Sequence, residues 1–383
     1  MGEQPEVTEQ ILDTVRRFVD REVMPVASRY EHADEYPQPL VDRMKELGLF
    51  GATIPIEYGG LGLDYSTYAR IVEELCRGWM SLSGVLNTHL MFAFHLVHHG
   101  TAAQKQRWLP RMATGEERAG FCLTEPHAGS DTQAIRTTAR RRGDHYVVNG
   151  TKMFITNAQT ATVFSLLAKT DPAAEPPHKG ISMFAAPKGP GLSVSRHLDK
   201  LGYRGIDTCE VVFEDYAVGA EHLIGGTEGV GLKIALSGLE VGRINIAARA
   251  VGVAQAAFDD AIRYAQERRA FGKPICEHQA IQLKLADMAT KIAAARLLVR
   301  QAAAMKDRGE RCDLEAGMAK LFASEICQEV ALEAMRVLGG YGYVKEFRVE
   351  RYYRDAPLMI IGEGTNEIQR LVIARGLLQR HRA

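Results

Sequence analysis

From Glu9 to about Arg111 apolar residues recur three and four apart, in ILDTVRRFVDREVMPVA, LVDRMKELGLF and IVEELCRGWMSLSGVL, which predicts an all-helical first unit. Its breaks fall at turn chemistry: Tyr36-Pro37-Gln38-Pro39, then Pro55 to Gly62, then Gly100. Near Ala119 the period changes to two, in FCLTE, TTARRR, HYVVNG, TKMFITN, TVFSLLAKT, GISMFAAPK, LSVSRHL and EVVFEDYAV, the signature of half-buried strands. Asn149-Gly150 stands between two alternating runs and suits a tight hairpin turn. The Pro-rich stretch 171–180 reads as a surface loop inside this β-domain, because strand-like runs continue on both sides. From Gly231 the helical period returns in three long segments, about 231–268, 278–307 and 313–338, with Gly339-Gly340 as a stop and a shorter helix from about Glu367. The expected organisation is therefore α+β: an N-terminal helical domain over 1–118, a middle β-domain over 119–226, and a C-terminal four-helix bundle over 227–383.

Composition narrows the function. Lys plus Arg and Asp plus Glu both number 47, so no net field draws in nucleic acid or an acidic membrane. The six cysteines are scattered without CxxC pairs, which predicts reduced thiols. The N-terminus is charged and amphipathic, and no run approaches the roughly 20 apolar residues of a membrane span. A cytoplasmic protein with no membrane and no nucleic-acid partner is expected.

Three stretches could carry chemistry. Phe121-Cys122-Leu123-Thr124-Glu125-Pro126-His127-Ala128-Gly129-Ser130-Asp131 is a strand entering a loop of small and hydroxyl residues, where a planar ligand could approach the backbone. Thr151 to Asn157 places an aromatic and a hydroxyl, Phe154 and Thr156, on one strand face. Glu363 lies between Gly362 and Gly364, so a substrate carbonyl could reach the local backbone N–H beside a carboxylate, an arrangement suited to removing a proton next to that carbonyl. Singly, each reads more readily as an ordinary turn, a core strand or a solvated helix connection. His95, His98 and His99 have a spacing that metal sites use, but no acidic residue accompanies them and a structural or solvated role is expected, with no metal. No GxGxxG joins a strand to a helix, which argues against a Rossmann dinucleotide site.

Together with Glu267-Arg268-Arg269-Ala270-Phe271-Gly272-Lys273-Pro274 and Glu277-His278-Gln279-Ala280, these stretches resemble the acyl-CoA dehydrogenase family over nearly the whole chain. The resemblance implies an oxidoreductase of fatty-acid or lipid metabolism that binds FAD and converts an acyl-CoA to a trans-2-enoyl-CoA. Glu363 would take the α-proton and flavin N5 the β-hydride. It implies a flavin site from Phe121, Leu123, Thr124, Ser130, Phe154 and Thr156, completed by Thr365 and Glu367. Arg268, Phe271, Gln279, Gly339 and Gly340 would reach a neighbouring subunit's FAD, so a homo-oligomer is implied, commonly a dimer of dimers and hence a homotetramer. Ser130, Glu240, Val241, Arg243 and Gly364 would border the thioester channel, and an electron-transfer flavoprotein would accept the electrons.

The sequence departs from the family pattern in places. Arg336 stands where Gln is common near the FAD adenosine, and Gly362 where short- and medium-chain members often have Tyr. Some members carry the base at the position of Gly242, which here has no side chain to compete with Glu363. A short-to-medium or branched acyl group is expected, with Phe92 and Phe94 as rings that could shorten the pocket. The alternatives are a flavin acyl-CoA oxidase, disfavoured because such oxidases generally have longer chains, and a non-catalytic or nucleic-acid-binding member of the fold.

Overall fold

The computed structural model describes residues 5–381. Its first helices are α1 (Pro5–Phe18), α2 (Ala27–Ala33), α3 (Gln38–Glu46), α4 (Tyr65–Gly78), α5 (Met80–His99) and α6 (Ala102–Ala113). Two begin on sequence-coded caps: the Asp64 carboxylate accepts from the Thr67 N–H at α4, and Thr101 with Gln104 forms a reciprocal capping box at α6. Helix α5 is long and apolar enough to cross a membrane by length and hydropathy, contrary to the expectation that no such run exists, but most of it is buried inside the protein. It is apolar all round because it is the central helix of the first unit.

Strands β1 (Ala119–Cys122), β2 (Thr138–Arg142), β3 (His145–Thr156), β4 (Val163–Lys169), β5 (Ile181–Pro187), β6 (Leu192–Val194) and β7 (Thr208–Gly219) make one sheet in the order β1-β4-β2-β3-β7-β6, with β5 also on β4. They enclose a core of their own that includes Tyr146, Phe164, Phe184 and Phe213. The expected hairpin at Asn149-Gly150 does not form. Both residues lie inside β3, which runs unbroken past a bulge, and the turn between β2 and β3 is at Gly143-Asp144. Side-chain bonds explain this: the Asn149 amide donates to Asp215 and its carbonyl accepts the Asp215 N–H, while Gly150 passes so close to Thr137 that a Cβ there would overlap its backbone.

The C-terminal part holds α7 (Gly231–Glu267), a small hairpin of β8 (Arg269–Ala270) and β9 (Lys273–Pro274), α8 (Gln279–Asp307), α9 (Asp313–Leu338), α10 (Val349–Ile361) and α11 (Asn366–Arg380). The three long helices match the sequence reading within a residue or so, but α10 is an additional helix that the reading missed. Alanines and glycines line the buried seam where α7 packs on α9 and α4; a Cβ on Gly252 would overlap the Glu73 carbonyl. The first unit, the sheet and α7 therefore meet at one place, around α5 and the middle of α7.

Candidate active site

One cavity of about 1990 Å³ opens at that meeting point. It is roughly twice the upper end of ordinary small-molecule pockets, large enough for two extended ligands side by side. β1 and the loop behind it bring Phe121, Leu123, Thr124 and Ser130 to its wall, and β3 brings Phe154 and Thr156. The loop is fixed to β3 by the Met153 N–H donating to the Thr124 carbonyl (2.8 Å) and by a buried pair, Lys152 Nζ to Glu125 Oε1 (2.7 Å). Phe154 is 62% exposed and holds φ +59, a conformation uncommon for a non-glycine residue. An aromatic ring kept in a strained backbone at a cavity wall is a feature of binding sites rather than of packing.

Glu363 enters from the connection between α10 and α11. Gly362 ends α10, Glu363 itself takes φ +53 and Gly364 φ +87, and the Thr365 hydroxyl caps α11. Lys320, buried on α9, ties down both sides of this turn, donating to the carbonyls of Ile360 and Gly364 (both 3.0 Å) and to Asn366 Oδ1 (2.7 Å). Burial pulls the Lys320 pKa down to about 8, against the opposing pull of Glu363 and Glu367. The Asn87 amide on α5 donates to Glu363 Oε1, whereas Oε2 is buried without a hydrogen-bond partner. Oε2 fills the space beside Gly242, where a Cβ would overlap it. The Glu363 backbone N–H has no acceptor among the described residues. Gly364 and Thr365 also line the cavity.

On the far side, Glu240 and Arg243 of α7 line the same cavity, Glu240 paired with Lys306 (2.7 Å) and Arg243 with Asp313 (3.6 Å). Val241 does not reach it; with Gly242, Tyr65, Tyr68 and Leu90 it encloses only a void of about 10 Å³ behind α7. Phe94 borders both spaces, while Phe92 is fully buried in the core and cannot shape the cavity. A separate cavity of about 760 Å³ is lined by Arg268, Gly339 and Gly340 with Tyr264, Tyr341 and Phe347. Phe271, 96% exposed at the tip of the β8–β9 hairpin, and exposed Gln279 line neither cavity. Arg336 pairs with Glu333 on an exposed face and lines neither, and Glu367 is exposed at the first turn of α11. His95 is buried, His98 lies against Phe94 and His99 bonds Ser237, so the three histidines do not converge. Among the described residues the close ligating cluster is Glu31, His32 and Glu350, and Arg354 already bridges both carboxylates.

Sequence reasoning missed Asn87, Lys320, Arg249, Tyr203 and Asp355. Asn87 had a weak signal, an amide inside the apolar run VLNTHLMF. Asp355 is fully buried on α10 and accepts the Tyr203 N–H (2.7 Å), so it fixes the 200–207 loop against the cavity. Burial pushes its carboxyl up to about 6, only partly offset by that N–H and by Arg351. Between its unfolded value near 3.9 and about 6 the folded protein keeps a proton that the unfolded chain has released, so this group makes stability fall as pH rises through that window. Urea unfolding across that range should show a decline on the order of 2 kcal/mol that Asp355→Asn removes; an unchanged slope in the variant would assign the effect to another group.

Helices, sheet and helices thus surround a cavity in which a carboxylate stands beside an unpaired backbone N–H, an arrangement of binding-site type that the comparisons assign to a family. The chain belongs to the acyl-CoA dehydrogenase family: the family's N-terminal domain matches residues 5–116, its middle domain 120–216 and its C-terminal domain 229–378. It is 43% identical over 383 residues to the mitochondrial short-chain specific acyl-CoA dehydrogenase of Bos taurus, covering 100% of this chain and 92% of that one. The structure of butyryl-CoA dehydrogenase from Megasphaera elsdenii superimposes with a TM-score of 0.95 at 37% identity, covering 99% of this chain and 100% of that one. The prolyl acyl carrier protein oxidase AnaB superimposes at 0.93 with 33% identity, covering 98% and 100%. An oxidase of this fold therefore exists at this length, and chain length does not separate oxidase from dehydrogenase.

Proposed function

We propose that the protein desaturates a short acyl-CoA thioester between its α and β carbons, with Glu363 as the base for the α-proton. The observation that carries this is the Glu363 carboxylate, steered by Asn87 into the space left by Gly242, above a backbone N–H that has no other partner. That N–H is free to donate to the thioester oxygen and so to acidify the α-carbon. FAD fits the donor set: Thr124, Ser130, Thr156 and Thr365 would hold its polar edges and Phe154 would cover its ring, and when bound it supplies the acceptor for the β-hydride. At the mouth, Lys233, Lys306, Arg311 and His98 face the cavity and suit the phosphates of CoA. The void of only about 10 Å³ behind Gly242, closed by Tyr65, Tyr68 and Leu90, leaves little room for a long tail and supports a short acyl group.

A second copy of the chain completes the reading. The 760 Å³ cavity at Arg268 and Gly339-Gly340, with exposed Phe271 and Tyr343 nearby in sequence, is suited to a neighbour's FAD, and a dimer of dimers would bury these rings. Electrons would then pass to an electron-transfer flavoprotein. Anaerobic titration of the FAD-loaded protein with butyryl-, isobutyryl-, isovaleryl- and palmitoyl-CoA tests the reaction. Bleaching of the flavin band by short members and not by palmitoyl-CoA is expected, and a band that none of them bleaches would refute it. Admitting air separates the oxidase reading, which requires rapid return of the colour with peroxide formation.

A further inference from the structure

Arg249 has no part in the chemistry described so far, yet it is 2% exposed and lines the main cavity. It lies seven residues beyond Gly242 on α7, two turns along the same face and roughly 10 Å from the position of the Glu363 carboxylate. Its partners are all neutral: Nε donates to Asn245 Oδ1 (2.7 Å), Nη1 to the Tyr203 hydroxyl (3.3 Å) and Nη2 to the Ser83 carbonyl (3.4 Å). No carboxylate among the described residues comes within ion-pair distance of it. Three bonds use three of five guanidinium N–H groups, which leaves two unused. The hydroxyl protons of Tyr203 and of Tyr68, which accepts from Asn245, also have no acceptor among the described residues. Burial works against the charge of Arg249, but Tyr203, Cys76 and Glu363 outweigh it, and the side chain stays a cation.

A buried cation costs several kcal/mol unless an anion compensates it. Buried Lys152 is paired with Glu125 and half-buried Arg354 with Glu31 and Glu350, while buried Lys320 has neutral partners only but lines no cavity. Arg351 also lacks a close ion pair, but it lines no cavity. Among the described residues Arg249 alone combines full burial without a close ion pair, spare donors and a cavity in front of it. The position is tightly shaped, since a Cβ on Gly84 would overlap the Tyr203 hydroxyl, so α5 must carry glycine for that hydroxyl to face Arg249.

We infer that Arg249 and Tyr203 recognise a carboxylate at the far end of the acyl group, so that the preferred substrate is a short dicarboxylyl-CoA. This rests on the reaction proposed above and names its substrate class. The balance is unchanged: the α-proton goes to Glu363, the β-hydride goes to FAD, and the distal carboxylate leaves intact on the unsaturated product. A short dicarboxylyl chain spans the gap between the thioester beside Gly242 and the guanidinium two turns away, and its charge is the counter-ion that the fold omits.

The test compares thioesters that differ only at the far end, butyryl- against succinyl-CoA, pentanoyl- against glutaryl-CoA and hexanoyl- against adipyl-CoA, by kcat/KM with a dye acceptor. Wild type should favour the carboxylate member of at least one pair. Arg249→Met should lower the carboxylate-to-methyl ratio in that pair on the order of 100-fold, and Tyr203→Phe, which removes a single oxygen, should lower it several-fold. Calorimetry on Glu363→Gln, with and without Arg249→Met, reads the same ratio as affinity without turnover. Preference for the methyl-ended member in every pair, or ratios that neither variant moves, would overturn the assignment while leaving the reaction standing. Should Arg249→Met not fold, the Tyr203→Phe ratio decides. A wild type reduced by no member of any pair would overturn the reaction and this assignment with it.

Discussion

Glu363→Gln should reduce the rate of anaerobic flavin bleaching by roughly 10²- to 10⁴-fold, the range for losing a positioned general base. The amide keeps the shape of the side chain, so the turn held by Lys320 and the FAD content should be retained, and acyl-CoA affinity should change little. Stopped-flow reduction at saturating thioester measures the first quantity, and the visible spectrum of the purified variant measures the second. A variant that bleaches at a tenth of the wild-type rate or faster would move the base elsewhere, and no other carboxylate of the cavity shares its position: Glu240 is committed to Lys306.

Gly242→Ala should impair the enzyme nearly as severely while replacing no titratable group. The added methyl would occupy the place of Glu363 Oε2, so the carboxylate must swing away from the cavity or α7 must shift. Displacement of a reacting group by about 1 Å is enough to cost on the order of 10²-fold in rate. The loss should appear in kcat with FAD content and melting temperature close to wild type, because α7 keeps its helix and alanine is favourable there. Wild-type turnover in Gly242→Ala would show that the carboxylate has room to spare and that the packing against Gly242 does not position it.

Much of this was legible in the chain, and the exceptions share a cause. Periodicity located the three long C-terminal helices and nearly every strand, because each buries a regular face. It failed at α10, whose ERYYRDAPLMII alternates charged and aromatic residues and carries Pro357, since its buried residues include Glu350, Arg351 and Asp355 among the apolar ones. It failed at Asn149-Gly150, where a long-range bond to Asp215 overrides the local turn preference. The flavin-loop residues and Glu363 were readable as motifs, and the cavity gathers most of them. Asn87, Lys320, Arg249 and Tyr203 were not readable, because each is a lone polar residue whose meaning lies in a partner tens or hundreds of positions away.

Helix α7 carries the tight alanine and glycine seam of the core with Arg249 inside it and, about two to three turns before Gly252, Glu240, Gly242 and Arg243. A rigid rod with no slack at one end transmits small displacements to the other. Substitutions that drift neutrally in a looser fold would here register as altered substrate choice, so the catalytic consequence of a change near Gly252 should depend on which residues already occupy α4 and α9. Epistasis between remote core positions and acyl-group selectivity is thus built into the geometry of a single helix.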